Sequence, residues 1–224
     1  MNNTPYNRIA GQSVERLTAL SDGIFAVAMT LLVLDLRVSV STEQPALNAL
    51  FHIAVWDDTL ERTVLGALGA LSPKLLTYLM SFLTLGIFWV GQQTQLNHFA
   101  RSDRNLTWIH LTYLLAVSLI PFSTALLSSN IGSRVALVVY WLNILMLGVV
   151  LLVSLRYAWR VGLIKDEIPT EMFSTNQRRI FVAQALYAFG AALCVINTYW
   201  SIAFIVLAQL NYATAPRIPF LNRL

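Results

Sequence analysis

The sequence predicts an all-α membrane protein with six transmembrane helices in each subunit, and three observations carry that reading. Of 224 residues, 57% are hydrophobic and only 12% charged, with a mean hydropathy of +0.63. A soluble domain carries about 25% charged residues, so half the expected charge is missing. The apolar residues also come in unbroken runs of roughly 20, the length a helix needs to cross a hydrocarbon layer of about 30 Å. Continuous rather than alternating runs exclude a β-barrel, the other structure that satisfies its backbone inside a membrane. Finally, the basic residues are distributed unequally between the two sides that six crossings would define. Soluble enzymes, nucleic-acid-binding modules and disulfide-built secreted domains do not have this composition, and the lone Cys194 has no internal disulfide partner.

The first crossing is expected over about 17–36, broken internally only by Asp22 and closed by Asp35 and Arg37. A basic start before an apolar run also describes a signal peptide, but this run holds an aspartate and ends without a small-residue cleavage site, so a retained helix is expected. The second, about 75–95, is opened by Ser72 and Pro73, a helix-start pair, and fades into Gln92, Gln93 and Gln95. The third, about 106–127, carries His110 and Pro121, and the fourth covers about 135–157. Residues 181–215 contain no charge at all, too long a run for one crossing. They fit a hairpin of two helices, about 178–196 and 199–215, turning near Asn197 and Thr198. The remaining insert, about 46–71, mixes apolar positions with Asp57, Asp58, Glu61 and Arg62. Four charges at the centre of a span are costly, so an amphipathic helix on the outer surface is expected. Residues 1–224 thus read as one six-helix domain.

Six crossings place both termini on one side, together with eleven of the fifteen Lys and Arg residues; Arg37, Arg62, Lys74 and Arg134 fall on the other. The positive-inside rule puts the termini in the cytoplasm.

The unusual residues lie in the first helix. With Val27 set at zero and 100° per residue, Leu20, Leu31 and Leu34 fall within about 40° of it, Thr30 near −60° and Asp22 near −140°. One face is an apolar seam interrupted by a hydroxyl, and the other carries an acid that must meet something polar. From spacing alone the seam reads first as ordinary helix packing, and Thr30 is also compatible with a hydroxyl bonded back to its own helix at Ala26. Asp22 is expected to tie together helices of its own subunit, with Arg16, Ser21, Gln92 and His110 as candidate partners in a structural polar network. His110 reads either as a satisfied structural histidine or as a proton sensor.

The string Arg16-Leu-Thr-Ala-Leu-Ser21-Asp22, continuing through Gly23 to Asp35, resembles the R-x-x-x-F-S-D first helix of the endosomal/lysosomal transmembrane potassium channel family, in its prokaryotic single-repeat form. The resemblance continues in 72–82, in Phe88-Trp89-Val90, in Leu106-Thr-Trp108 and in 118–127 with its Pro121-Phe-Ser-Thr124 core. It is densest over 16–127. The motif phenylalanine is Leu20 here, Gln92 and Gln93 stand where family members commonly place histidines, and His110 replaces an asparagine. The resemblance implies a homotetramer whose four first helices line the pore, with no re-entrant pore loop, in a bacterial inner membrane. It further implies a potassium-selective leak channel whose constriction is formed by Val27, Thr30, Leu31 and Leu34, with K⁺ passing transiently near Thr30. The partners it implies are a second copy, lipid and permeant cations. Proton or non-selective cation conduction and a small secondary transporter stay open as alternatives.

Within this sequence, Thr84-Leu-Gly86-Ile-Phe is the nearest thing to a carbonyl filter, but it lacks a second glycine and sits inside an apolar run, where packing is the expected role. Three scattered histidines, one cysteine and no H-E-x-x-H or G-x-S-x-G string give no basis for an enzyme, and no cofactor is expected. No run carries the regularly spaced arginines of a voltage sensor.

Overall fold

Each run of apolar sequence becomes a helix because a backbone inside hydrocarbon must bond to itself. The computed structural model describes residues 13–37 and 58–214. Helix α1 spans Val14–Val33, and its first turn is capped by Ser13, whose hydroxyl accepts from the Arg16 N–H at 3.2 Å. At 1.5 Å per residue, its 20 residues reach about 30 Å. Helix α2, Asp58–Ala70, is the described part of the expected amphipathic insert; the rest of that insert, like Arg8, Arg217 and Arg223, lies outside the described residues. Helix α3, Ser72–Asn97, begins with Pro73 in its first turn, where the missing N–H costs nothing.

The third expected crossing departs from a single run. It is divided into α4, Arg104–Ser118, and α5, Ile120–Ser129, with Leu119 between them. Pro121 has no N–H to offer the preceding turn, and its ring crowds the carbonyl four residues back. The chain answers by tightening at Leu119, whose N–H is shared between the carbonyls of Leu115 and Ala116 at 3.2 and 3.3 Å. Asp103 caps α4 through a carboxylate bond to the Leu106 N–H at 2.7 Å.

Helix α6, Arg134–Val161, ends at Gly162, whose φ of 72° is the left-handed C-terminal stop that glycine adopts without strain. Helix α7, Thr170–Ala192, runs through a short 3₁₀ turn, Leu193–Val195, into α8, Thr198–Thr214. The hairpin packs at Gly190, where an added Cβ would lie 2.8 Å from Ile205 Cγ1. Among the described residues, five stretches are long and apolar enough to cross a membrane, with Arg104–Ser129 counted as one. Helix α8 has 17 described residues, about 25 Å of helix.

Helix α1 lies at one margin of the bundle, against α3, α4 and α5, while α3 occupies the middle and also touches α6 and α8. At one end the loop after α3 meets the loop after α6: Ala100 N–H bonds Leu163 O at 2.8 Å, and Lys165 N–H bonds His98 O at 3.0 Å. Arg16, Arg101, Arg104, Arg156, Arg160, Lys165, Arg178 and Arg179 gather towards this basic end by the alternation of the helices. At the other end Ser128 Oγ donates to Asp35 Oδ2 at 2.6 Å, and Thr198 Oγ1 donates to Gly132 O at 3.3 Å.

Candidate pore helix and its polar supports

Helix α1 has two faces with different fates. Leu17, Ser21, Phe25, Ala28 and Leu32, at spacings of four, four, three and four, are buried against the rest of the chain. The opposite face holds Leu20, Gly23, Val27, Thr30, Leu31 and Leu34 and is left open, with Val27 57% and Leu34 61% exposed. Val27, Thr30, Leu31 and Leu34 therefore share one open surface of one helix. An apolar groove of about 590 Å³ runs beside it, between α1 (Leu20, Val27, Leu31) and α4 (Leu111, Leu115).

The Thr30 hydroxyl donates to the carbonyl of Val27 at 2.8 Å, rather than to that of Ala26. This bond uses the hydroxyl's only proton. The oxygen keeps its acceptor lone pairs, which are what a cation coordinates, so back-bonding and ion contact are compatible.

The polar residues around α1 do not form the five-membered network expected from the sequence. Asp22 is held by α3, but by Trp89 and Gln93: both the indole N–H, at 2.8 Å, and the Gln93 amide, at 2.6 Å, donate to Oδ1. Gln92, the expected partner, instead donates to Ser21 Oγ at 3.0 Å, while Ser21 donates to Leu17 O at 2.8 Å. His110 is buried one helix pair away, with Nε2 3.3 Å from Ser154 Oγ of α6 and its ring edge against Phe99. Arg16 forms no ion pair with Asp22; its backbone N–H takes part in the cap, and its side chain is exposed. The reason for the correction is rotation. Ser21 and Asp22 differ by 100° on α1, and Gln92 and Gln93 by the same angle on α3, so each α1 residue meets a different glutamine. Trp89 and Gln93 were missed as supports, although Trp89, Gln92 and Gln93 stand at i, i+3 and i+4, the spacing of one helical stripe.

A second polar cluster, also missed, lies at the centre of the bundle around the Tyr140 hydroxyl. Thr124 Oγ1 donates to Ser81 Oγ at 2.7 Å, and Ser81 Oγ donates to Tyr140 OH at 3.3 Å. Thr84 already donates to Met80 O at 2.9 Å, so across the 2.9 Å contact between Tyr140 and Thr84 the phenol is the donor. Gln209 of α8 donates to the same Thr84 oxygen at 2.6 Å. The chain of bonds joins α3, α5, α6 and α8. Its signal in the sequence was the Thr77, Ser81 and Thr84 stripe, polar residues at i, i+4 and i+7 of an apolar helix. Among the described residues no group of three His, Cys, Asp or Glu side chains comes together to hold a metal.

The family model described as endosomal/lysosomal potassium channel TMEM175 matches residues 16–121, which contain α1, its α3 supports and the proline break. Over that stretch, just under half of the chain, the sequence matches the TMEM175 family model. A potassium channel of Streptomyces collinus is 36% identical over 129 residues, 56% of this chain and 54% of that one, so the match spans about half that relative's length. A potassium channel of Chamaesiphon minutus is 25% identical over 208 residues, covering 88% of this chain and 92% of that one. The human endosomal/lysosomal proton channel TMEM175 is 20% identical over 95% of this chain, which spans 39% of its length. The crystal structure of a lysosomal potassium-selective channel TMEM175 homolog from Chamaesiphon minutus superposes with a TM-score of 0.71 at 24% identity, over 90% of this chain and 97% of that one. The TMEM175 fold is shared.

Proposed function

We propose that this protein is a passive, potassium-selective cation channel: a homotetramer in a bacterial inner membrane, with six crossings per subunit and both termini cytoplasmic. Its pore is lined by α1 of each subunit. The observation that carries this reading is the open face of α1, where four residues at pore spacing are left uncovered by their own subunit while the opposite face is buried. The named activities of the bacterial relatives agree with it.

Val27 and Leu34 are seven residues apart, so in a tetramer they stack two apolar rings about 10 Å apart along the axis. Rings of branched apolar side chains resist wetting and impose a barrier without charge. Between them four Thr30 oxygens offer acceptor sites to a partly dehydrated ion. K⁺ gives up its water more readily than Na⁺, which supplies the selectivity. Asp22 stays out of the pore and, through Trp89 and Gln93, fixes the rotation of α1 that presents this face. No covalent chemistry or cofactor enters this mechanism.

The mammalian relatives are named proton channels, which favours proton conduction as the second reading. Purified protein in liposomes, given K⁺, Na⁺ or H⁺ gradients in turn, separates the two. We expect K⁺ flux to exceed Na⁺ flux. Proton flux without K⁺ flux would replace the first reading by the second, and no flux of any of the three would remove both.

A further inference from the structure

A second groove, of about 550 Å³, opens on the opposite side of α3, between it, α7 and α8. Phe82, Gly86 and Val90 form an apolar stripe along one wall, and Arg179 stands at the basic end of the bundle. From Phe82 to Thr94 the groove follows twelve residues of α3, about 18 Å. That matches the depth of one leaflet, half of a hydrocarbon layer of about 30 Å with its boundary region. Arg179 is the only charged side chain among the described residues that line it, so none of those residues is acidic. The floor is open at Gly86, where an added Cβ would meet nothing within 4 Å.

We infer that this groove binds one anionic phospholipid from the leaflet at the basic end, with its acyl chain along Phe82, Gly86 and Val90 and its phosphate at Arg179. The charge decides the occupant. Arg179 is exposed at the rim of the groove, where a lipid phosphate meets a complementary cation while an apolar helix or a neutral headgroup gains nothing from it. Trp89 lines the same groove while its indole N–H holds Asp22 of α1. The bound chain therefore packs beside the residue that sets the rotation of α1.

Native mass spectrometry of the purified full-length protein, offered phosphatidylglycerol or phosphatidylcholine, tests this without any flux measurement. The wild type should retain phosphatidylglycerol in preference to phosphatidylcholine. Arg179→Gln should lower phosphatidylglycerol retention about fivefold, the weight of one basic side chain beside an anionic surface, and leave phosphatidylcholine unchanged. Gly86→Leu, at a position where an added Cβ meets nothing within 4 Å, should abolish retention of both by filling the floor. Equal retention of the two headgroups by the wild type, or phosphatidylglycerol retention unchanged in both variants, would overturn the inference. A Gly86→Leu protein that lost its assembled mass would do the same, by showing that a second copy occupies the groove.

Discussion

Asp22 shows how far a single residue can be read. That an acid inside an apolar run must be partnered follows from the cost of leaving it bare in hydrocarbon. Which residues partner it depends on how α3 is rotated against α1, and one helix's own periodicity carries no information about that. Trp89→Phe tests the support directly, because it keeps the aromatic body and deletes one donor to the carboxylate. A hydrogen bond to a charged group contributes about 1.5–3 kcal/mol, so the variant should melt several degrees lower in detergent, with ion preference unchanged. An unaltered melting temperature would mean that Gln93 alone suffices. For Thr30 the complementary change is Thr30→Val, which keeps the volume and removes the oxygen. In mixed K⁺ and Na⁺ solutions its reversal potential should move towards the non-selective value at undiminished current. An unmoved potential would leave the apolar rings as the only source of selectivity.

At the scale of elements, most of the helix order was legible because each apolar run is long enough to define itself. The hairpin turn lies at 196–197, beside the expected Asn197 and Thr198, and of the insert Asp58–Ala70 is described as helix. The break at Leu119 was only half visible: Pro121 announces a disturbance, but whether a helix kinks or is cut depends on what neighbouring turns can donate. Least legible was the Tyr140 cluster, because its members come from four helices far apart in sequence and each looks unremarkable alone. Tyr140→Phe should cost about 1–3 kcal/mol, since it leaves buried Ser81 and Thr84 without the phenol that joins them. Thermal melts of Tyr140→Phe, Thr84→Val and the double variant measure the coupling; full additivity would show that no network exists. A different element, the loop pair at the basic end, carries a pH dependence. Burial, and then the nearby Lys165, hold the His98 pKa below the usual 6.5. Its neutral form is therefore favoured in the folded protein, and the stability this represents is present above about pH 6.5 and lost as pH falls through the lowered pKa. Melting temperature should decline more steeply below pH 6.5 in the wild type than in His98→Gln. Parallel profiles would show that protonation there is harmless.

At the scale of the whole molecule, α1 is buried on one side and open on the other. An apolar surface on a membrane protein is covered either by lipid or by another protein, and Gly23 distinguishes the two. It lies on the open face, lines the groove between α1 and α4, and has nothing within 4 Å of the position its Cβ would take. Within one subunit the Cβ of a Gly23→Leu side chain is therefore unobstructed, and against fluid lipid the change would be neutral or slightly favourable. Against the packed helix of a second copy, which approaches closely where residues are small, it would wedge the interface apart. Light scattering of the detergent-solubilised wild type should give four times the 25.1 kDa subunit mass. The Gly23→Leu protein should retain its helical content by circular dichroism but run predominantly at a lower mass. If it remained tetrameric and conducted K⁺ as before, this face of α1 would be turned to lipid, and the pore would have to be sought on another helix.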